Sequence, residues 1–360
     1  MPPPRIYSFD VLKILAIFGV IVFHTYPFAG INSEFYRLYR NFWGFNVPVF
    51  FIISGYLLAF KIRLGDGISL RYGKNIKRLV FLLLAWSAIY LTIPLGNFSH
   101  GLAGAFLAGW QESFRALINH PAAFLGDGVR YHLWFIIALI TALAISYPFV
   151  RARRLRELCA VAAGFYLVGL LTGAYAWSPL GFGIGFDTRD GPFQALLFVA
   201  LGILLARKGY RPSVKTAFMV LGAGLVAQMA EVALLYSLIP RSEIVGGEYY
   251  LGTVPYALGL VLLALAIPDL GKRIKVEKVA PYVLGVYMIH YVVITYVIKG
   301  TYGGGDILWQ IIYPPIVFLL SLLVAISLSR IPLVRRLVIA RRPPERAVRP
   351  DPAAHPPLPI

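Results

Sequence analysis

Cysteine is nearly absent: Cys159 stands alone in 360 residues. A single thiol excludes an intramolecular disulfide and any metal site built on several thiolates. Charge is scarce too, at 14% of residues against 59% hydrophobic, and acid scarcer still, with 16 Asp and Glu facing 34 Lys and Arg. Soluble domains carry about 25% charged residues, so a mean hydropathy of +0.73 excludes an ordinary soluble fold. The formal charge of +18 does not point to nucleic acid. Its Lys and Arg form short clusters between apolar runs, which is the pattern of membrane topology. No small-x-small cleavage site follows "IVFHTYPF", so the first apolar run reads as a retained helix rather than a signal peptide.

What the chain does have is long apolar runs. Crossing roughly 30 Å of hydrocarbon takes about 20 mainly apolar residues, and ten segments qualify: 11–28, 42–60, 79–95, 133–150, 158–175, 192–206, 216–239, 250–267, 280–298 and 307–328. The expected fold is an all-α, polytopic integral membrane protein. Of the 34 Lys and Arg, this topology puts 27 on the side of the N-terminus and 7 opposite, which predicts both termini in the cytoplasm. Residues 1–330 read as one membrane domain. Residues 331–360, ending in "RRPPERAVRPDPAAHPPLPI", read as a basic, proline-rich, disordered cytosolic tail. The long outer stretch 96–131 includes "LAGAFLAGWQESFRALI", suited to lie along the membrane surface. "GFGIGFDTRDG" has glycines near dinucleotide-loop spacing but follows no strand, so it reads as a flexible outer loop. The sequon at Asn97 is too permissive a pattern to use, and no internal repeat is evident, which weighs against transporters built from duplicated halves.

Ionisable groups inside spans are costly and mark sites or ion paths. Lys13 and His24 are eleven residues apart on the first span. That is about three turns, so they share one helix face ~16 Å apart. Asp10, three residues before Lys13, is its natural partner. Lys13 reads either as a snorkelling topology determinant or as a cation that helps hold an anion such as a coenzyme phosphate. His24 reads either as a hydrogen-bonded interface residue or as a group that takes and returns a proton near neutral pH. Glu231, His290 and His132 fall at comparable depth and could converge with it, Glu231 then orienting the histidine. The bland alternative for Glu231 is an interhelical hydrogen bond supported by Gln228, and for His290 a packed core histidine. No pair has i,i+4 ligand spacing on one helix, so no metal site is expected. Ser54, Gly55 and Tyr56 interrupt the second span, which means either close helix approach or room for a ligand.

Four segments in order, "DVLKILAIFGVIVFH", "VPVFFIISGYLL", "YHLWFIIALI" and "LGVYMIHYVVI", resemble the characteristic motifs of membrane-bound acyltransferase family 3. The resemblance spans about residues 5–330. It implies a ten-helix bacterial inner-membrane enzyme, an O-acetyltransferase that moves acetyl from acetyl-CoA to surface polysaccharides or lipid-linked sugars, with no tightly bound cofactor. Carried over by position, His24 is the essential catalytic histidine, and Lys13 stands where the family has arginine. Lysine keeps the charge but loses the bidentate fork for phosphate. Lys13 and Asp10 are then the donor-binding candidates and His24 and Glu231 the catalytic ones. Further site candidates are His132, Trp134, His290, Tyr287 and Ser54 within these motifs, and Asn46 just before the second. The implied partners are acyl-CoA, a glycan or lipid-linked acceptor and the bilayer, and a homo-oligomer is left open. The competing reading is a transporter or flippase of polysaccharide or lipid-linked sugar, whose buried charges would form the substrate path.

Overall fold

The computed structural model describes residues 5–29, 33–93, eight positions between 104 and 118, 129–184, 187–210, 212–238, 249–297 and 307–339. Among them no strand occurs. The helices are α1 (Tyr7–Thr25), α2 (Ser33–Phe42), α3 (Asn46–Arg63), α4 (Ile68–Thr92), α5 (Trp134–Arg151), α6 (Leu155–Thr172), α7 (Pro192–Lys208), α8 (Val214–Leu238), α9 (Thr253–Ala266), α10 (Val283–Val297), α11 (Ile307–Leu328) and α12 (Pro332–Val338). Nine described segments are long and apolar enough to cross a membrane, and α9 is a shorter apolar helix. Together they correspond to the ten expected spans. The protein is an all-α polytopic membrane protein.

Element boundaries differ where polar residues continue a helix past the hydrocarbon. The fourth helix starts at Ile68, not 79, because "SLRYGKNIKR" is helical although too basic to register as apolar. The first begins at Tyr7 and stops at Thr25, where Tyr26 turns left-handed (φ 46°) ahead of Pro27. Its carboxyl-terminal turn therefore holds His24 at the end of a rigid rod.

Burial divides into two main clusters. One joins α3, α5, α6, α7 and α9, the other α4, α10 and α11. The first helix lies in the seam between them: Phe9, Leu12 and Ala16 belong to the first cluster, and Ile17, Val20 and Ile21 to the second. Where α3 crosses α7, a Cβ on Gly55 would overlap the Val199 carbonyl, and one on Gly202 the Ile52 carbonyl. Of the two readings for the small residues in "ISGY", close helix approach is the one seen for Gly55.

The expected tail is corrected at its start. Residues 332–338 form α12, which packs on the bundle with Val338 fully buried. The Trp86 indole donates to the Leu337 carbonyl at 3.2 Å and Arg78 to that of Ile339 at 3.1 Å. Apolar side chains at 334, 337 and 338 pack on the bundle, and the prolines cluster only later. Residues 340–360, most of 96–128 and the Asn97 sequon lie outside the described residues.

Candidate active site

The two ends of α1 carry different chemistry. In its first turn the buried Asp10 carboxylate accepts from Arg5 (2.7 Å) and Lys13 (3.2 Å). Asp10 is thus the partner of Lys13 that the three-residue spacing implied. It joins two cations rather than offering a surface to phosphate, since an acid repels an anion. In the last turn the His24 ring meets Tyr131, whose hydroxyl hydrogen-bonds Nδ1 and lies 3.5 Å from Nε2. Tyr131 opens the short turn Tyr131–Leu133 that leads into α5.

Three histidines converge there. The ring of His290, from α10, lies 5.2 Å from that of His24 and 5.5 Å from that of His132, centroid to centroid. Both His132 and His290 are fully buried. His290 Nδ1 faces the Tyr287 carbonyl at 2.6 Å, so it must donate there, which leaves Nε2 as the acceptor of a neutral ring. The Tyr287 hydroxyl donates to the His132 carbonyl and pins the turn to α10. Among the described residues no three or more His, Cys, Asp and Glu are grouped so as to hold a metal ion.

A cavity of about 160 Å³ opens beside His24, lined also by Asn46, His132, Trp134 and Tyr287. Asn46 sits at the start of α3, its side-chain oxygen accepting from the Val47 amide. Ser54 lies two turns further along α3 and is not a cavity residue.

Glu231 does not join the site, and its expected role as the group that orients His24 is corrected. One carboxylate oxygen accepts from the Tyr175 hydroxyl (2.5 Å) and the Leu251 amide (2.8 Å), and the other from the Gly252 amide (2.8 Å). Those amides open α9, so the carboxylate occupies the anion position at a helix N-terminus. Its predicted Gln228 neighbour instead donates to the Asn41 carbonyl at 2.6 Å.

Sequence reasoning missed three wall residues. Tyr131 lies inside the segment "YHLWFIIALI", but nothing in the pattern singles it out. Arg189 comes from the loop read as merely flexible. Its guanidinium pairs with Asp187 (3.3 Å) and Asp190 (3.1 Å) and stacks over Trp134 and Tyr131 at 5.2 and 5.6 Å. An arginine between two acids on the cation-poor side was the available signal. Gln194, two residues into α7, had none beyond being polar in an apolar run.

Among the described residues the chain is an all-helical membrane bundle with a cavity lined by histidine, tyrosine and arginine, and it falls in the class of polytopic integral membrane proteins. Within that class the chain belongs to acyltransferase family 3: the family's acyltransferase domain matches residues 6–330. Among curated proteins it is similar to a serine/alanine racemase of Enterococcus gallinarum, 25% identical over 65% of this chain and 34% of that protein. It is also similar to an amino-acid racemase of Enterococcus faecalis, 26% identical over 81% of this chain and 42% of that protein. The chain spans less than half the length of either relative. No solved structure matches.

Proposed function

We propose that this protein transfers an acyl group, most simply acetyl, from a cytosolic acyl-CoA to a hydroxyl of a surface polysaccharide or lipid-linked sugar, in the inner membrane of a bacterium. The observation that carries the reading is α1 itself, with a cationic cluster at one end and His24, engaged by Tyr131, at the other. Arg5 and Lys13 outnumber Asp10, so their net positive charge suits the nucleotide phosphates of the coenzyme. Its slender pantetheine arm then follows the helix to the cavity, where His24 meets the thioester.

Only one tautomer makes Nε2 a base: Nδ1–H must donate to the Tyr131 oxygen. In that form His24 takes the proton as the acceptor oxygen attacks the thioester carbon, and returns it to the departing thiolate. The alternative course forms a transient acetyl-histidine first. Trapping labelled His24 with donor alone supports this two-step course, and a strictly ternary kinetic pattern removes it. The proposed function is tested by mass spectrometry of surface glycans from deletion, wild-type and His24→Ala strains. A lost acyl increment restored only by wild type supports it. Movement of a lipid-linked sugar without consumption of acetyl-CoA supports the transporter instead.

A further inference from the structure

Two side chains in the cavity wall have hydrogen-bonding capacity that neither the fold nor the proton transfer uses. Gln194 is 1% exposed and its Oε1 has no hydrogen-bond partner among the described residues. His132 is 1% exposed, and neither of its nitrogens has one. Each lines the same cavity as His24. Buried polar atoms are normally satisfied, and those that are not call for an explanation. Gln194 comes from α7 and His132 from the turn ahead of α5, so chain neighbourhood does not explain their meeting at one void.

Their chemistry restricts the ligand. Gln194 Oε1 accepts only, so it needs a donor, whereas a neutral imidazole presents one donor and one acceptor. A thioester carbonyl is an acceptor alone and leaves Gln194 unmet. Neighbouring hydroxyls satisfy both, because each gives a hydrogen bond and takes one, much as water does. Trp134 adds an aromatic surface to the same wall.

We propose that Gln194 and His132 form the acceptor subsite, gripping hydroxyls of a polyol of the carbohydrate class so that an adjacent hydroxyl faces His24. This rests on the acyl-transfer reading above and deepens it. In the transfer, the acceptor oxygen bonds to the carbonyl carbon and the carbon–sulfur bond breaks. The hydroxyl proton goes to His24 and then to the thiolate. Gln194 and His132 hold the acceptor and exchange no proton.

The test is equilibrium binding to the full chain in lipid nanodiscs, since sugar-headed detergents would compete. Saturation-transfer NMR is run with methyl α-D-glucopyranoside, methyl α-D-galactopyranoside, methyl α-D-mannopyranoside and N-acetylglucosamine, with cyclohexanol as the single-hydroxyl control. The expected result is binding of at least one saccharide and not of cyclohexanol. Gln194→Leu and His132→Phe each weaken it about tenfold or more, the loss of a good hydrogen bond. His132→Gln, which keeps a donor and an acceptor, restores part of the affinity. Both apolar variants keep or raise the thermal midpoint, because each removes an unsatisfied buried atom, whereas a structural role would lower it. Binding of no saccharide, unchanged affinity in both variants, or a fallen midpoint that accounts for the loss overturns the subsite. Saccharide binding that depends on Gln194, in a protein that transfers no acetyl, sinks the acyl-transfer reading and leaves the subsite standing. Transfer with unchanged acceptor KM in Gln194→Leu sinks the subsite alone.

Discussion

Tyr131→Phe removes one oxygen from the candidate site and little else. The ring remains to pack edge-on against His24, 5.2 Å between centroids, and to carry Arg189 above it at 5.6 Å. What disappears is the hydroxyl that engages Nδ1 and holds the ring in place. A hydrogen bond to a group that becomes charged contributes about 1.5–3 kcal/mol. At 1.36 kcal/mol per decade of rate, its loss from the transition state lowers kcat by roughly 10- to 150-fold. On the proposed reading the coenzyme phosphates meet Arg5 and Lys13 some three turns away, so the KM for acyl-CoA should stay within about twofold. The assay is thiol release from acetyl-CoA by protein in nanodiscs, supplied with the glycan fraction of a deletion strain. The thermal midpoint is measured in parallel. The reasoning fails if Tyr131→Phe keeps wild-type kcat while His24→Ala is inactive, for then His24 acts without its partner. A fully active His24→Ala sinks the base assignment itself.

Other perturbations separate structural from chemical roles. Glu231→Ala strips the carboxylate from the Leu251 and Gly252 amides and should cost about 1–3 kcal/mol of stability. It should appear as a lower midpoint in a thermal-shift assay, with kcat per folded molecule within about twofold of wild type; a collapse of kcat without destabilisation would restore a catalytic role. Asp10→Asn frees Arg5 and Lys13 from their shared acceptor and should lower the midpoint and alter the KM for acyl-CoA, while Lys13→Ala should raise that KM and leave kcat nearly unchanged. Unchanged KM values in both variants, measured on the same nanodiscs, would take the donor site away from this cluster. Gly202→Val places a branched side chain against the Ile52 carbonyl, and overpacking of this kind costs about 1–3 kcal/mol or more. Fluorescence-detected size exclusion should show little monodisperse protein, and a normal peak would mean that α3 and α7 do not pack this closely.

The span pattern was legible because crossing hydrocarbon demands length and apolarity, and both are local properties of the chain. Even α9, only 14 residues long, could be read from its composition. The basic start of α4 escaped because a helix that leaves the hydrocarbon no longer has to be apolar. The pairing of Asp10 with Lys13 was readable from a three-residue spacing, since neighbours on one helix face meet whatever surrounds them. Glu231, His132 and His290 looked equivalent, each a polar group at similar depth in an apolar run. Depth is one coordinate of three. The other two are which way each helix turns and which helix lies beside it, and these depend on packing between residues distant in sequence.

The sequence by itself therefore determined the membrane class, the spans and the single face of α1 that joins Lys13 to His24, because helical geometry and the cost of polar groups in lipid act within one segment. Only the tertiary structure decided that Tyr131, His132, His290 and Gln194 gather around His24 while Glu231 serves the start of α9. The close crossing at Gly55 and Gly202 draws α7 against α3, and α1 lies in the seam between the two cores. Those contacts bring side chains from α1, the turn before α5, α7 and α10 into one cavity that no single stretch of the chain encodes.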